Sequence, residues 1–395
     1  MIYDRLFKGK NKLPLKVPLA LFCNHTAFDF NTGRYLLQTL TAGYNLLKVF
    51  IPEHGFFAEL QDQVTVSNTR AYHNLQQGVK FVSLYGNNRS ENHRLIEKEL
   101  KDIGILIIDI QDVGSRYYTY LTLVNLIFDT VHRNSLDLKI IVVDRPNPAG
   151  RQVEGTLMTA GYASFIGLEG IPHRHGLTIG EMCLFLKNRI GASFDLEIIR
   201  YHEDELTGSM AIYPSPNLPS MEAIRLYPGL CLLEGTNISE GRGTTKPFEM
   251  IGAPCLKNFF PDGFNGLARQ FRGVLLRPVI FRPVFHKYKN RLCYGCQVHL
   301  TGKAFHSLFF GLSLIRFLRQ QAGDKFRFLE GPYESGSGKP AIEILAGDKV
   351  LLDFMNGRKN FRAIDDYLET SEMKWILKVS DYLLYKEKLF RIRCQ

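Results

Sequence analysis

The stretch "GILIIDIQDVG", Gly104 to Gly114, decides the fold. Its first half is isoleucine and leucine without polar alternation, as a strand buried on both faces requires. It then runs abruptly into Asp109, Gln111, Asp112 and Gly114. Just upstream, "RLIEKELKDI" has the spacing of a short amphipathic helix. Downstream, "YYTYLTLVNLIFDTVHRN" reads as a long helix and "LKIIVVDRPNP" as another strand. Toward the N-terminus, "VPLALFCN" and "NLLKVFIPEHG" are two further strands, separated by the helical spacing of "TGRYLLQTLTAGY". Strands alternating with helices imply right-handed crossovers and a parallel sheet covered on both faces. The expected fold class is therefore α/β: a Rossmann-like parallel sheet domain followed by a smaller α+β C-terminal domain, with a cleft between them.

The length, 395 residues, suits two such units. The expected division is residues 1–240 and 241–395. A stretch dense in glycine and proline, residues 151–255, straddles it and contains one clear helix start, "HGLTIGEMCLFLKNRI". Beyond it, "CYGCQVHLTG" reads as a strand and "SLFFGLSLIRFLRQQ" as a helix.

The formal net charge is +10, which favours anionic partners. No run of lysine or arginine exceeds two, so nucleic-acid binding is not expected. No apolar run approaches the roughly 18 to 20 residues of a membrane span. The N-terminus is a poor secretory signal, which favours the cytoplasm, with periplasmic or secreted placement as the alternative. Seven scattered cysteines fit a reducing compartment. Cys293 and Cys296 form a lone C-x-x-C without a second pair or nearby histidines, and read as strand cysteines. No metal and no cofactor are expected. The glycine turn of a dinucleotide fold is missing after the first strand. "GPYESGSGKP" has the wrong glycine spacing for a P-loop, with Pro340 where a hydroxyl should bind magnesium. The chain carries no H-E-x-x-H or G-x-S-x-G.

In parallel sheets, ligands sit beyond the carboxyl ends of the strands. Here each such end carries polar side chains: Asn24 and His25; Glu53 and His54; Asp109, Gln111, Asp112 and Arg116; Asp144, Arg145 and Asn147. Each has a plainer reading. Asp144 to Pro148 fits a turn with a structural ion pair, and Asp112 to Ser115 fits a helix-entry turn. Thr178 with Glu181 fits a capping box. Glu53, between a proline and His-Gly, is in poor context for helix or strand and is harder to explain structurally. Carboxylates, amides, arginines and tyrosines around a cleft suit carbohydrate chemistry. A further oddity is "LLEGTNISEGRGTTKPFE", Leu232 to Glu249, which mixes acids with one arginine between glycines.

Taken in order, "IPEHGF", "SLYG", "IDIQDVGSRYYTY", "VVDRPNPAG", "VEGTLM", "SFIG", "IPHRHGLTIGEM", "PSPNLPS" and "YPGLCLLEGTNISEGRGTTKPFEMIGAP" resemble the NamZ-type exo-β-N-acetylmuramidases, a glycoside hydrolase family. The resemblance covers Asn24 to Pro254 and is weaker beyond. It implies a peptidoglycan-derived muramyl saccharide as substrate, cut at its non-reducing end to release N-acetylmuramic acid during cell-wall recycling. By position it makes Glu53 the general acid, with Asp109 and Asp112 as further catalytic carboxylates. It places His54, Gln111, Arg116, Asp144, Glu234, Glu240 and Arg242 around the substrate. Asn24, Arg145 and Asn147 at the strand ends join them, as do Tyr118, His175, Asn217 and Asn237 within the matched segments. Arg242 and its flanking glycines are expected to hold the lactyl carboxylate that distinguishes muramic acid from glucosamine. A non-catalytic sugar-binding protein of the same fold is the alternative. A retaining, inverting or substrate-assisted course and the oligomeric state are left open.

Overall fold

The computed structural model describes residues 2–394 except 9–11, 62–71, 73–74, 87, 203–211, 272, 303–304, 332 and 334–337. Half of the P-loop look-alike, residues 332 and 334–337, therefore lies outside the described residues. In chain order the strands are β1 (Leu19–Cys23), β2 (Phe28–Asp29), β3 (Arg34–Tyr35), β4 (Leu46–Ile51), β5 (Lys80–Ser83), β6 (Ile105–Asp109), β7 (Lys139–Val143), β8 (Leu196–Ile199), β9 (Met250–Ala253), β10 (Val274–Phe281) and β11 (Cys293–Leu300). The helices are α1 (Ile2–Phe7), α2 (Leu36–Gly43), α3 (Arg89–Leu100), α4 (Tyr120–Arg133), α5 (Ile179–Arg189), α6 (Met221–Leu230), α7 (Asn265–Ala268), α8 (Ser307–Ala322), α9 (Ala341–Ala346), α10 (Lys349–Met355) and α11 (Phe361–Lys378).

Six strands form one sheet in the order β5-β4-β1-β6-β7-β8. Every pairing in it is parallel. The stretch that opened the sequence reading is β6, with all five residues buried at the centre of the sheet. Its side chains alternate between two separate apolar clusters: Leu106 and Ile108 join one, Ile105 and Ile107 the other. β1 and β7 alternate in the same way, so both faces of the sheet are covered. Sequence reading found β1, β4, β6 and β7 but not the two edge strands. β5 and β8 have four residues each and part-exposed positions, so no long apolar run marks them.

The second sheet is antiparallel, in the order β10-β11-β9. Cys293 and Cys296 stand on β11 as free, buried thiols. One sheet-face cluster continues without a break into the C-terminal helices, reaching Leu308, Ile344 and Trp375. The chain thus shares one core across both sheets' helices. Arg116 reinforces this: its buried guanidinium donates to the carbonyls of Thr156, Leu345 and Ala346 at 2.9, 3.0 and 2.7 Å.

Candidate active site

The β4 strand ends in Pro52, and the chain then turns sharply. His54 and Gly55 adopt φ of +74° and +85°. A positive φ at a non-glycine residue is strained and persists only where its surroundings hold it. Two side-chain bonds hold His54, and its carbonyl accepts the Leu60 N–H at 3.0 Å. Its Nδ1 donates to the Leu60 carbonyl at 3.0 Å, and its Nε2 is hydrogen-bonded to the Ser215 hydroxyl at 3.2 Å. The Leu60 carbonyl can only accept, so Nδ1 carries a proton. The turn aims Glu53 at the start of α4, where Thr119 donates its hydroxyl to Oε2 at 2.9 Å. The loop after Phe56 closes on Glu59, whose carboxylate accepts from the Phe57 N–H and the Tyr72 hydroxyl.

A strap, residues 213–217, is pinned by side chains from the ends of β1 and β4 and from the start of α4. His25 bonds the Tyr213 carbonyl at 2.9 Å, and Tyr118 and Tyr120 donate to the Pro214 carbonyl at 3.0 and 3.2 Å. Ser215 accepts the Asn217 N–H at 3.1 Å and is bonded to His54. Asn24 is buried behind the strap and donates to the Tyr120 hydroxyl at 2.9 Å. Burial, the neighbouring Tyr120, and the charges of Glu53 and Asp112 together keep the Tyr118 phenol well above its ordinary pKa.

The opposite wall is the glycine-flanked arginine segment, and it is buried. Arg242 Nε donates to Glu240 Oε1 at 2.8 Å, and its Nη2 lies 3.2 Å from Glu234 Oε2. Burial opposes the guanidinium charge, but Glu234 and Glu240 outweigh it and raise the Arg242 pKa well above the usual value. Glu240 is fully buried, which by itself favours protonation. Lys287 at 2.9 Å, Arg242, and His286 overcome that and hold its pKa well below the carboxylate range. Tyr333 donates its hydroxyl to Glu234 Oε2. The two glycines serve the chain itself: a Cβ on Gly241 would sit 2.7 Å from the Met250 carbonyl oxygen, and one on Gly243 2.5 Å from that of Phe285. They were expected to let the backbone approach a ligand. In the folded chain they let this loop approach β9 and the segment before His286.

The two walls enclose one cavity. Of the residues expected around the substrate, Glu53, His54, Tyr118, Asn217, Glu234 and Arg242 line it. Tyr227 also lines it and lies within range of the charges of both Glu53 and Glu234. Sequence reading missed Thr119, Ser215, Tyr227 and Tyr333 in the lining, and Lys287 behind it. Thr119 and Ser215 stand inside motifs that were recognised, whereas no local pattern marks Lys287 or Tyr333.

The remaining expected residues do not line the cavity, and each has structural bonds. Asp109, expected as a catalytic carboxylate, is buried in an ion pair with Arg145, Nη2 to Oδ1 at 2.7 Å, and accepts from Tyr3 at 2.6 Å. Asp144 accepts from the Gly180 N–H at 2.7 Å, Thr178 at 2.9 Å and Tyr385 at 2.6 Å. Burial nevertheless pushes its pKa up to about 6. Asp112 accepts from the Gly114 N–H at 2.6 Å and faces His175 Nε2 at 3.1 Å. Its Oδ1 is buried without a hydrogen-bond partner among the described residues, as is Gln111 Oε1. Gln111 donates to the Pro146 carbonyl at 3.0 Å, and Asn147 to that of Leu177 at 3.0 Å. Asn237 ties the loop to Lys325 and Arg327 at 2.8 and 2.9 Å. Arg116 is the buried staple described above, and Glu240 supports Arg242 from behind. The plainer readings of the Asp144 turn and of the Thr178–Glu181 capping box are the ones these bonds describe.

Comparison with known proteins covers almost the whole chain. The model described as exo-β-N-acetylmuramidase NamZ, N-terminal, matches residues 19–222, and the corresponding C-terminal model matches residues 225–385. The peptidoglycan β-N-acetylmuramidase NamZ of Bacillus subtilis (strain 168) is 37% identical over 338 residues, 80% of this chain and 79% of that protein. Two crystal structures of DUF1343 family proteins from Bacteroides fragilis NCTC 9343 share the fold. One superposes with a TM-score of 0.78 at 26% identity, covering 98% of this chain and 96% of the other. The second has a TM-score of 0.67 at 28% identity and covers 94% and 95%.

Proposed function

Since this chain belongs to the exo-β-N-acetylmuramidase NamZ family, we propose that it is an exo-acting glycoside hydrolase releasing terminal N-acetylmuramic acid from the non-reducing end of peptidoglycan fragments. One observation supports that reading most: Glu53 and the Glu234–Arg242 pair, distant along the chain, line the same cavity. Hydrolysis of a glycosidic bond commonly uses two carboxyl groups on either side of the anomeric centre. In this reading Glu53 gives its proton to the departing oxygen. Its Oε2 is held by Thr119, and the strained His54 turn fixes where it points. Glu234, already the negative member of an ion pair, faces the positive charge that develops on the sugar ring. Asp109, locked to Arg145 and Tyr3, takes no part in the chemistry.

Arg242 has a second role in this proposal. It is fixed by Glu234 and Glu240, and Lys287 adds a further positive charge behind Glu240. A substrate carboxylate would meet this preorganised cluster rather than a mobile side chain, which favours a lactyl ether over a bare hydroxyl.

Glu53→Gln keeps the size and the Thr119 hydrogen bond but removes the proton donor. Release of N-acetylmuramic acid from a muramyl-glucosamine disaccharide should fall by roughly 10²- to 10⁴-fold, with thermal stability little changed. Turnover near the wild-type rate would eliminate Glu53 as the acid. Arg242→Lys should reduce discrimination between muramyl and glucosaminyl substrates. Unchanged discrimination would sink the lactyl assignment while leaving the glycosidase assignment intact.

A further inference from the structure

A second cavity, of about 800 Å³, opens where the loop after β7, helix α6 and the C-terminal segment meet. It shares no lining residue with the cavity of Glu53. Helix α6 separates the two: Tyr227 lines the first and Arg225 the second. Arg151, Arg174, Arg225 and Lys388 line the second cavity, and Glu387 is the only carboxylate among its lining residues.

Arg151 and Arg174 are ion-paired there, but Arg225 and Lys388 have no ion pair among the described residues. Arg151 and Arg174 are each 6% exposed and are held from behind by Glu181 and Glu154. Glu154 is shared, because His306 Nδ1 also lies 3.3 Å from it. Burial opposes a charge on His306, but Cys394, Glu154 and Glu372 outweigh it and raise its pKa well above the usual value. Arg151 Nε lies 3.8 Å from Glu387 Oε2, whereas Arg174 Nε is buried without a hydrogen-bond partner among the described residues. Arg225 forms no ion pair among the described residues, and it sits close enough to Arg174 to disfavour that residue's charge in addition to the effect of burial. Arg174 and Arg225 line the same space and repel one another, and an oxyanion settling beside both would relieve that repulsion.

The cavity also has an apolar wall. Phe390 is 48% exposed, yet its backbone is fixed: its N–H donates to the Arg151 carbonyl at 3.3 Å and its own carbonyl accepts from Val153 at 2.8 Å. Phe305 lines the same space. A bare inorganic ion has no use for a rigid aromatic face, whereas a sugar ring does.

We propose that this cavity is a second, non-catalytic binding site for an anionic saccharide, with its carboxylate on Arg174 and Arg225 and its ring against Phe390. The saccharide part rests on the glycosidase reading of the first cavity; the oxyanion part does not. The test is calorimetric titration of the full chain with N-acetylmuramic acid, N-acetylglucosamine and inorganic phosphate. Wild-type protein should bind N-acetylmuramic acid at two sites per chain, and N-acetylglucosamine, which lacks the carboxylate, at no more than one. Arg225→Glu and Phe390→Ala should each weaken the second site at least tenfold and leave turnover of a chromogenic muramide within twofold of wild type. A single site in wild type overturns the proposal, as does a second site unmoved by both substitutions. Phosphate binding as tightly as the sugar acid, with Phe390→Ala without effect, reduces the site to one for an ion only and also overturns it. Failure of the Glu53 assignment would appear in turnover and not in these stoichiometries, so the two readings fail separately.

Discussion

Arg242 shows how much a single residue's placement depends on its neighbours. Its glycine flanks looked like a ligand-facing feature, but both approach the chain's own carbonyls. This makes a sharp prediction for Gly243→Ala. The residue has φ of +82°, and an added Cβ would meet the Phe285 carbonyl oxygen at 2.5 Å and its nitrogen at 2.9 Å. Backbone cannot rotate aside as a side chain can. Gly191→Ala provides the control, since Gly191 has φ of +65° with nothing within 4 Å of the added carbon. That control should cost roughly 1 to 2 kcal/mol, the price of the left-handed conformation alone. Gly243→Ala should cost roughly 3 kcal/mol or more, and should raise KM for the muramide because Arg242 moves with the loop. Denaturant unfolding of both variants, with steady-state kinetics, checks this; equal destabilisation would show that the loop yields. The same residues show the limits of sequence reading. Glu53 was legible because neither helix nor strand context explained it, and His54, Glu234 and Arg242 because they fall on motif positions of the resembled family. Tyr333 and Lys287 reach the site only through the tertiary path of the C-terminal half, and their local sequence says nothing about it.

Elements were legible where burial was complete. β1 and β6 are wholly buried, and their apolar runs are unmistakable. β5 and β8 are short edges, half wetted, and were invisible for that reason. In α11, Ile364, Leu368, Glu372 and Trp375 are the buried positions of 18 residues, one of them charged, so it offers little apolar periodicity. Polar residues at strand ends were read as one class, but they divide into two. Glu53 faces a cavity, whereas Asp144 is used by the next element: it accepts the Gly180 N–H at the start of α5 and the Thr178 hydroxyl. An amide N–H group at a helix N-terminus favours a carboxylate just as a ligand would, and sequence alone cannot separate these uses. Thr178 therefore has two tasks: its hydroxyl accepts the Glu181 N–H at 3.2 Å as the N-cap and donates to Asp144 at 2.9 Å. Thr178→Ala should destabilise the protein by about 2 kcal/mol, the upper end of the range for a lost cap, and Thr178→Ser should restore most of it. A loss below about 0.5 kcal/mol in thermal or urea unfolding would mean that water replaces both bonds.

At the scale of the whole molecule, the chain's last residues return to the first sheet. Leu384 donates its N–H to Glu181 at 2.9 Å, and Tyr385 donates its hydroxyl to Asp144 at 2.6 Å. The C-terminal segment thus closes onto the carboxylate that organises the β7–α5 junction, and the strength of that closure depends on pH. Burial lifts the Asp144 pKa to about 6, against an unfolded value near 3.9. Because the folded value is the higher one, protonation favours folding. The contribution is fully present below about pH 4 and is lost as pH rises through about 6. Asp144→Asn should remove this dependence, so the stability difference between it and the wild type should change across that window. Tyr385→Phe tests the closure itself. Burial and the adjacent Asp144 raise the Tyr385 pKa, so the phenol stays a donor throughout. Above pH 7 it donates to an ionised carboxylate, a bond worth about 2 kcal/mol; below pH 5 it meets a neutral acid, worth about 1 kcal/mol. The variant should therefore lose more stability at pH 8 than at pH 4.5, measured by urea unfolding at both. Losses of equal size would show that Asp144 does not change its charge between those conditions, and the coupling of the C-terminal segment to the first sheet would then be independent of pH.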